Sequence, residues 1–107
     1  MAVREIDVDA LAELIGSEDL VLVDVREDDE YADARVAGTL HIPLGDIPAR
    51  AGEIPDGTVH VICAAGGRSM QACEYLDTLG RDTVNIAGGT KGWIASGRPT
   101  ESGSPSA

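Results

Sequence analysis

One short run of residues combines a nucleophile, glycines and a fixed positive charge. Cys63 is followed by two alanines, two glycines, Arg68 and Ser69. Glycines let successive backbone N–H groups turn towards an anion, and a helix that begins after them adds unpaired N–H groups and the positive end of its dipole. Such surroundings can lower a cysteine pKa from about 8.5 to between about 3.5 and 7.5. Arg68 adds a planar set of charged donors, so the run predicts a nucleophilic Cys63 that acts on an anionic substrate.

The flanking sequence indicates which elements hold this run in place. The sequence predicts strands at residues 3–6, 20–23, 39–42, 58–62 and 83–86, of which residues 20–23 form a continuous apolar run. Helical spacing predicts helices over residues 7–15, 27–34 and 69–79, a helical turn at residues 46–50 and a last helix around Trp93. This alternation implies an α/β fold, with a mainly parallel five-stranded sheet and helices on both faces. Cys63 follows the fourth strand, and such sheets bind ligands beyond the carboxyl ends of their strands.

Length and composition limit the domain organisation and the partners. The chain has 107 residues, so we expect one domain over residues 1–97, and the Ser-, Pro- and Gly-rich residues 98–107 predict a flexible tail. The net charge of −11 argues against nucleic acid and anionic membranes as partners. The sequence contains neither the apolar core of a secretory signal nor a run long enough to span a membrane. We therefore expect a cytoplasmic protein.

Four motifs in the same order resemble those of the rhodanese (sulfurtransferase) family in its small single-domain form. They are residues 23–27 (Val-Asp-Val-Arg-Glu), residues 38–43 (Gly-Thr-Leu-His-Ile-Pro), the run at residues 63–69, and residues 85–89 (Asn-Ile-Ala-Gly-Gly) followed by Trp93. The resemblance covers residues 3–97, nearly the whole chain. It implies a single rhodanese-like domain and a thiosulfate sulfurtransferase type of activity.

The resemblance also implies a mechanism. Cys63 would take the sulfane sulfur of a donor, thiosulfate or a persulfide, and hold it as a persulfide until cyanide, a small thiol or a protein thiol accepts it. This is covalent catalysis in two steps. Arg68 would orient the donor, and Asp24 and Arg26 would support the loop from behind. The backbone N–H groups that would stabilise the persulfide belong to Ala64, Ala65, Gly66, Gly67 and Arg68. No cofactor is implied.

Alternatives to this function remain open on sequence alone. Cysteine-dependent phosphatases have a similar loop but place five residues between cysteine and arginine, whereas four stand between Cys63 and Arg68. Ala64 stands where many thiosulfate-using relatives carry a basic residue, which favours a persulfide donor. Residues 34–36 (Ala-Arg-Val) also depart from the family pattern, as a local surface change. A non-catalytic binding module or a protein-to-protein sulfur carrier is the second hypothesis.

The remaining reactive residue types have structural interpretations. Cys73 lies on the apolar face of its helix, where we expect core packing, with a resolving-cysteine role as the alternative. Ser69 is expected to cap its helix and thereby support the loop. The acidic residues 27–30 indicate a solvated helix start. His41 and His60 have no ligand partners at a convincing spacing, so we predict no metal. Trp93 is expected in the core.

Overall fold

A computed structural model of the chain describes residues 3–17 and 19–103. Its centre is a five-stranded sheet in the order β1-β5-β4-β2-β3, and every pair of neighbouring strands is parallel. The strands are β1 (Arg4–Ile6), β2 (Val21–Asp24), β3 (Leu40–His41), β4 (Val59–Ile62) and β5 (Thr83–Ile86). The predicted α/β fold with a parallel five-stranded sheet is therefore confirmed.

The described residues form five α-helices, of which four connect strands and the fifth follows β5. They are α1 (Val8–Leu14), α2 (Asp28–Asp33), α3 (Ile47–Arg50), α4 (Gly67–Thr78) and α5 (Gly89–Ala95), and short 3₁₀ turns flank α3 at Leu44–Asp46 and Ala51–Glu53. The Asp7 carboxylate accepts the Ala10 N–H at 2.9 Å, so α1 begins with the side-chain cap that the sequence predicts. Helix α4 begins two residues earlier than predicted, at Gly67.

Side chains of the central strand β4 alternate between two apolar cores. Val61 pairs with Val23 of β2 and points to the core formed with α3 and α4. Ile62 points to the opposite core, which contains Leu11 of α1 and Trp93 of α5. Burial on both faces explains why the predicted strand at residues 20–23 is continuously apolar, and it confirms that helices cover both faces. Trp93 is buried in the core, as predicted, at 5% exposure.

The part of the predicted tail that the structure describes packs on the domain. Arg35 and Glu101 exchange two backbone hydrogen bonds, the indole N–H of Trp93 donates to the Pro99 carbonyl at 2.8 Å, and Gly103 N–H donates to Ala32 O. The composition of these residues predicted a flexible tail, because composition does not reveal pairing with residues far away in the chain. Residues 104–107 of that predicted tail lie outside the described residues.

A buried ion pair fixes the chain where β2 ends. The Arg26 guanidinium donates to both carboxylate oxygens of Asp24, with Nη2 to Oδ2 at 2.9 Å, and the two side chains are 6% and 0% exposed. The same guanidinium donates to the carbonyls of Glu30, at 3.2 Å, and Ala34, at 2.8 Å. These bonds attach α2 to the end of the sheet. Asp24 and Arg26 therefore lie at the carboxyl edge of the sheet, where Asp24 pairs with Ile62, the residue before Cys63.

Removal of one partner should show how much this ion pair contributes to the stability of the fold. We expect Asp24→Ala to lower the free energy of unfolding by about 3–5 kcal/mol, because Arg26 would remain buried without a counter-charge. Urea denaturation measures the effect. Glu53→Ala is the control, because it breaks the exposed Arg50–Glu53 pair and should change stability little. Equal losses in the two variants would contradict the interpretation.

Candidate active site

Cys63 is the first residue after β4, at the carboxyl edge of the sheet. The chain turns there through residues 64–66 and enters α4 at Gly67. Gly66 makes the turn with a φ of +111°, a left-handed conformation that residues with a side chain rarely adopt. This turn brings the chain back over the Cys63 side chain, and Cys63 is only 1% exposed.

The Cys63 sulfur lies within reach of donors from the loop and from α4. The Gly66 N–H donates to Sγ at 3.1 Å, and the Ser69 hydroxyl lies 3.2 Å from it. Burial alone would raise the pKa of the Cys63 thiol, but hydrogen bonds from the Ser69 hydroxyl and from backbone N–H groups of Ser69, Gly66 and Ala65 outweigh it, so the pKa is lowered. The site therefore favours a thiolate, the form that acts as a nucleophile.

The start of α5 holds the opposite side of the same loop. Thr90 N–H donates to the Cys63 carbonyl at 2.9 Å, and Lys91 N–H donates to the Ala64 carbonyl at 3.0 Å. Gly89 makes this approach possible, because a Cβ there would lie 2.6 Å from the Ala64 carbonyl oxygen and closer still to that of Cys63. The second glycine of the motif at residues 85–89 is therefore required because there is no space for a side chain.

The expectation that Ser69 caps α4 is wrong. The helix begins at Gly67, with Gly66 as its N-cap, so Ser69 lies inside the first turn. Its hydroxyl points instead to Cys63 Sγ and to the amide oxygen of Asn85, the latter at 2.5 Å. A hydroxyl has one proton, so Ser69 can donate to only one of these two acceptors at a time.

Asn85 is a site residue that the sequence analysis did not identify. It is 1% exposed in β5. Its amide group donates to the Glu5 carboxylate at 2.8 Å and to the Gly66 carbonyl at 3.2 Å. With both donors used, its oxygen must face Ser69. An asparagine inside an otherwise apolar buried strand was the available sequence signal, because a buried polar group needs partners.

Arg68 forms an ion pair with a carboxylate that the sequence analysis predicted to be solvent-exposed. Its guanidinium forms a bidentate ion pair with Glu30 of α2, at 2.6 and 2.9 Å. The hydrogen bond from Arg68 lowers the pKa of Glu30 to about 2, and Glu30 in turn raises the pKa of Arg68. The interpretation of residues 27–30 as a solvated helix start therefore fails for Glu30, whereas the Asp28 carboxylate is 93% exposed.

A cavity of about 200 Å³ opens beside the loop. Its lining combines charged side chains of α2 and α5 with apolar ones, and consists of Arg26, Glu30, Asp33, Ala34, Ala64, Thr90, Lys91 and Ile94. Because Ala64 is adjacent to Cys63, this cavity is the candidate entrance for a substrate. Of the predicted site residues, the structure thus gathers the whole loop, Arg26 and Ser69, with Asp24 behind them.

Within residues 3–17 and 19–103, no three His, Cys, Asp or Glu side chains converge in a way that could hold a metal ion. None of the helices in these ranges has the length and apolar character needed to cross a membrane.

Comparison with known proteins identifies the family. The sequence model of the family described as "Rhodanese-like domain" matches residues 7–96. The chain belongs to the rhodanese-like family. YtwF of Bacillus subtilis is 42% identical over 101 residues, 92% of this chain and 98% of that protein. A sulfurtransferase of Allochromatium vinosum is 41% identical over 100 residues, 91% of this chain and 94% of its own length.

A solved structure shows the same fold. A rhodanese-related protein from Thermoplasma volcanium superposes with a TM-score of 0.85 at 33% identity, over 92% of this chain and 97% of that one. The single rhodanese-like domain inferred from the four motifs is therefore confirmed. Membership of the rhodanese sulfurtransferase family follows from the match and from the relative named a sulfurtransferase.

The second cysteine of this rhodanese-like domain lies in the core. Cys73 of α4 is fully buried among apolar side chains, as predicted. Burial raises the pKa of its thiol to about 12, so a thiolate is scarce at neutral pH. A resolving cysteine has to act as a thiolate, so the structure argues against that alternative.

The role of Gly89 can be tested by filling the space beside it. We expect Gly89→Ala to lower the free energy of unfolding by about 1–3 kcal/mol, because the new methyl group overlaps the loop carbonyls. Gly52→Ala is the matched control: a Cβ there meets nothing within 4 Å, so its effect should stay within about 0.5 kcal/mol. Thermal or urea unfolding measures both variants, and a neutral Gly89→Ala would contradict the steric argument.

The Ser69 hydroxyl should influence the charge state of Cys63. In Ser69→Ala the thiolate loses a hydrogen bond, so the pKa of Cys63 rises and alkylation by iodoacetamide at neutral pH slows about tenfold. The rate as a function of pH measures the change. Thr78→Ala, which removes an exposed hydroxyl at the end of the same helix, should leave the profile unchanged. An unaltered profile in Ser69→Ala would exclude the hydroxyl from thiolate stabilisation.

Proposed function

We propose that this rhodanese-like domain transfers sulfane sulfur through a persulfide on Cys63. The observation that carries the proposal is the Cys63 sulfur itself, which is almost enclosed yet receives hydrogen bonds that lower its pKa. An enclosed sulfur can react only with an atom that reaches it at the end of its donor. Sulfane sulfur is such a terminal atom, whereas the phosphorus of a phosphate ester is surrounded by four oxygens. This difference favours sulfur transfer over phosphatase activity.

In the first step the Cys63 thiolate attacks the terminal sulfur of the donor. The new bond joins Sγ to that sulfur, the sulfur–sulfur bond of the donor breaks, and sulfite or a thiolate leaves with the electron pair. In the second step the acceptor, a thiolate or cyanide, attacks the terminal sulfur. The bond between that sulfur and Sγ breaks, and Cys63 leaves as a thiolate. No external oxidant or reductant is needed, because the sulfur keeps its oxidation state throughout.

The loop supplies stabilisation at both steps. The Gly66 N–H and the Ser69 hydroxyl meet the thiolate before attack and again when Cys63 leaves. The partners in this proposal are a small sulfur donor, thiosulfate or a persulfide, and a thiol or cyanide acceptor. The cavity lined by Ala64 and Lys91 is the route by which both would reach the sulfur.

Intact mass spectrometry tests the proposal directly. The reduced protein is incubated with thiosulfate and, separately, with glutathione persulfide. We expect wild type and Cys73→Ala to gain the mass of one sulfur atom and Cys63→Ala to gain none, since Cys73 is buried and protonated. Addition of cyanide or a thiol should then remove the extra mass.

Two other outcomes distinguish the alternative functions. Folded protein that is not loaded by either donor would overturn the proposal and favour a non-catalytic binding module. Loading that no small acceptor reverses would overturn turnover with small acceptors and favour a protein-to-protein sulfur carrier.

A further inference from the structure

The charges at the entrance to Cys63 are arranged in an unexpected way. Arg68 follows the loop and is the cation nearest to the reacting sulfur in sequence, but its guanidinium is bound by both carboxylate oxygens of Glu30. The two side chains are 34% and 32% exposed, and Glu30 lines the same cavity as Ala64. A donor that enters the cavity therefore meets Glu30, whose carboxylate already binds the Arg68 guanidinium, and not a free guanidinium.

The cations that line this cavity, Arg26 and Lys91, do not replace Arg68. Arg26 is neutralised by Asp24 in the buried ion pair. Lys91 of α5 is exposed on the rim, where Asp33 of α2 also lines the cavity. Ala64, next to the nucleophile, has no charge. The negative charges of the carboxylates at the entrance therefore offset the positive charges of its cations.

This balance matters because the possible donors differ in charge. Thiosulfate is a dianion that must approach the Cys63 thiolate and release sulfite, another dianion. A hydropersulfide, R–S–SH, brings at most one negative charge on its sulfurs. The Cys63 thiolate attacks the outer sulfur of the protonated form, the sulfur–sulfur bond of the donor breaks, Cys63 gains –SH and a single thiolate, R–S⁻, leaves. Repulsion between like charges is larger for thiosulfate, and a free guanidinium would be needed to offset it.

We propose that Glu30 is a specificity-determining residue, which neutralises Arg68 and so selects hydropersulfides over thiosulfate as sulfur donors. The inference rests on the proposed function and names its substrate class. Glu30 acts through electrostatics at the entrance and leaves the nucleophile unchanged. Its own place is fixed by the fold, because Arg26 binds the Glu30 carbonyl and the Glu27 N–H donates to Glu30 Oε1 at 3.0 Å.

Glu30→Gln tests the proposal with little structural change, since the amide oxygen can still accept the Glu27 N–H. We expect the second-order rate of loading by thiosulfate to rise about two- to fivefold, the range typical of partly exposed ion pairs, while loading by cysteine hydropersulfide changes little. Intact mass spectrometry against time measures both rates. Asp28→Asn is the charge-matched control, because it removes one carboxylate from the same helix without touching Arg68, and it should leave the ratio of the two rates unchanged.

A double variant shows whether Glu30 acts through Arg68. In an Arg68→Ala background, Glu30→Gln should no longer alter the ratio more than Asp28→Asn does. An unchanged ratio in Glu30→Gln, or an equal gain with and without Arg68, would overturn the inference. Failure of the proposed function is a separate result, because in that case wild type would not be loaded by either donor.

Discussion

A peptide group that turns its carbonyl one way presents its N–H the other way, and the active-site loop depends on this constraint. The first two N–H groups of α5 after Gly89 hold the carbonyls of Cys63 and Ala64. The Ala64 carbonyl is bound on the outside of the turn, and the N–H of the same peptide group, which belongs to Ala65, bonds to the Cys63 sulfur together with the Gly66 N–H. The sheet carries β4 and β5 side by side, so the loop that follows one strand meets the helix that follows the other.

The thiolate of Cys63 is stabilised by dipoles more than by a free charge. The chain carries a net charge of −11, which would disfavour another anion if charge acted over the whole surface. Screening restricts such effects to about 8–10 Å at ordinary ionic strength. Within that range, backbone N–H groups and the Ser69 hydroxyl outweigh the cost of burial. Arg68, the obvious cation in the sequence, is committed to Glu30.

Helix α2 links the stability of the fold to the charge at the entrance. Arg26 pairs with Asp24 in the interior and also binds two carbonyls of α2. The same helix carries Glu30 on the side that faces Arg68. A structural ion pair thus sets the position of the carboxylate that we propose to control donor choice. A buried pair suits this role because its geometry is held by several hydrogen bonds at once.

The local features could be predicted from the sequence alone: five strands, the Asp7 cap and a cysteine followed by a glycine-rich turn. These depend on patterns within a few residues, and the structure agrees with them within one or two residues at most ends. Three other features depend on long-range packing: Glu30 pairs with Arg68, Asn85 accepts a hydrogen bond from the Ser69 hydroxyl, and residues 98–103 pack on the domain. Each of these contacts joins segments far apart in the chain. Their distance is set by how strands and helices pack, and a charged or amide side chain in the sequence does not reveal which distant partner it will meet.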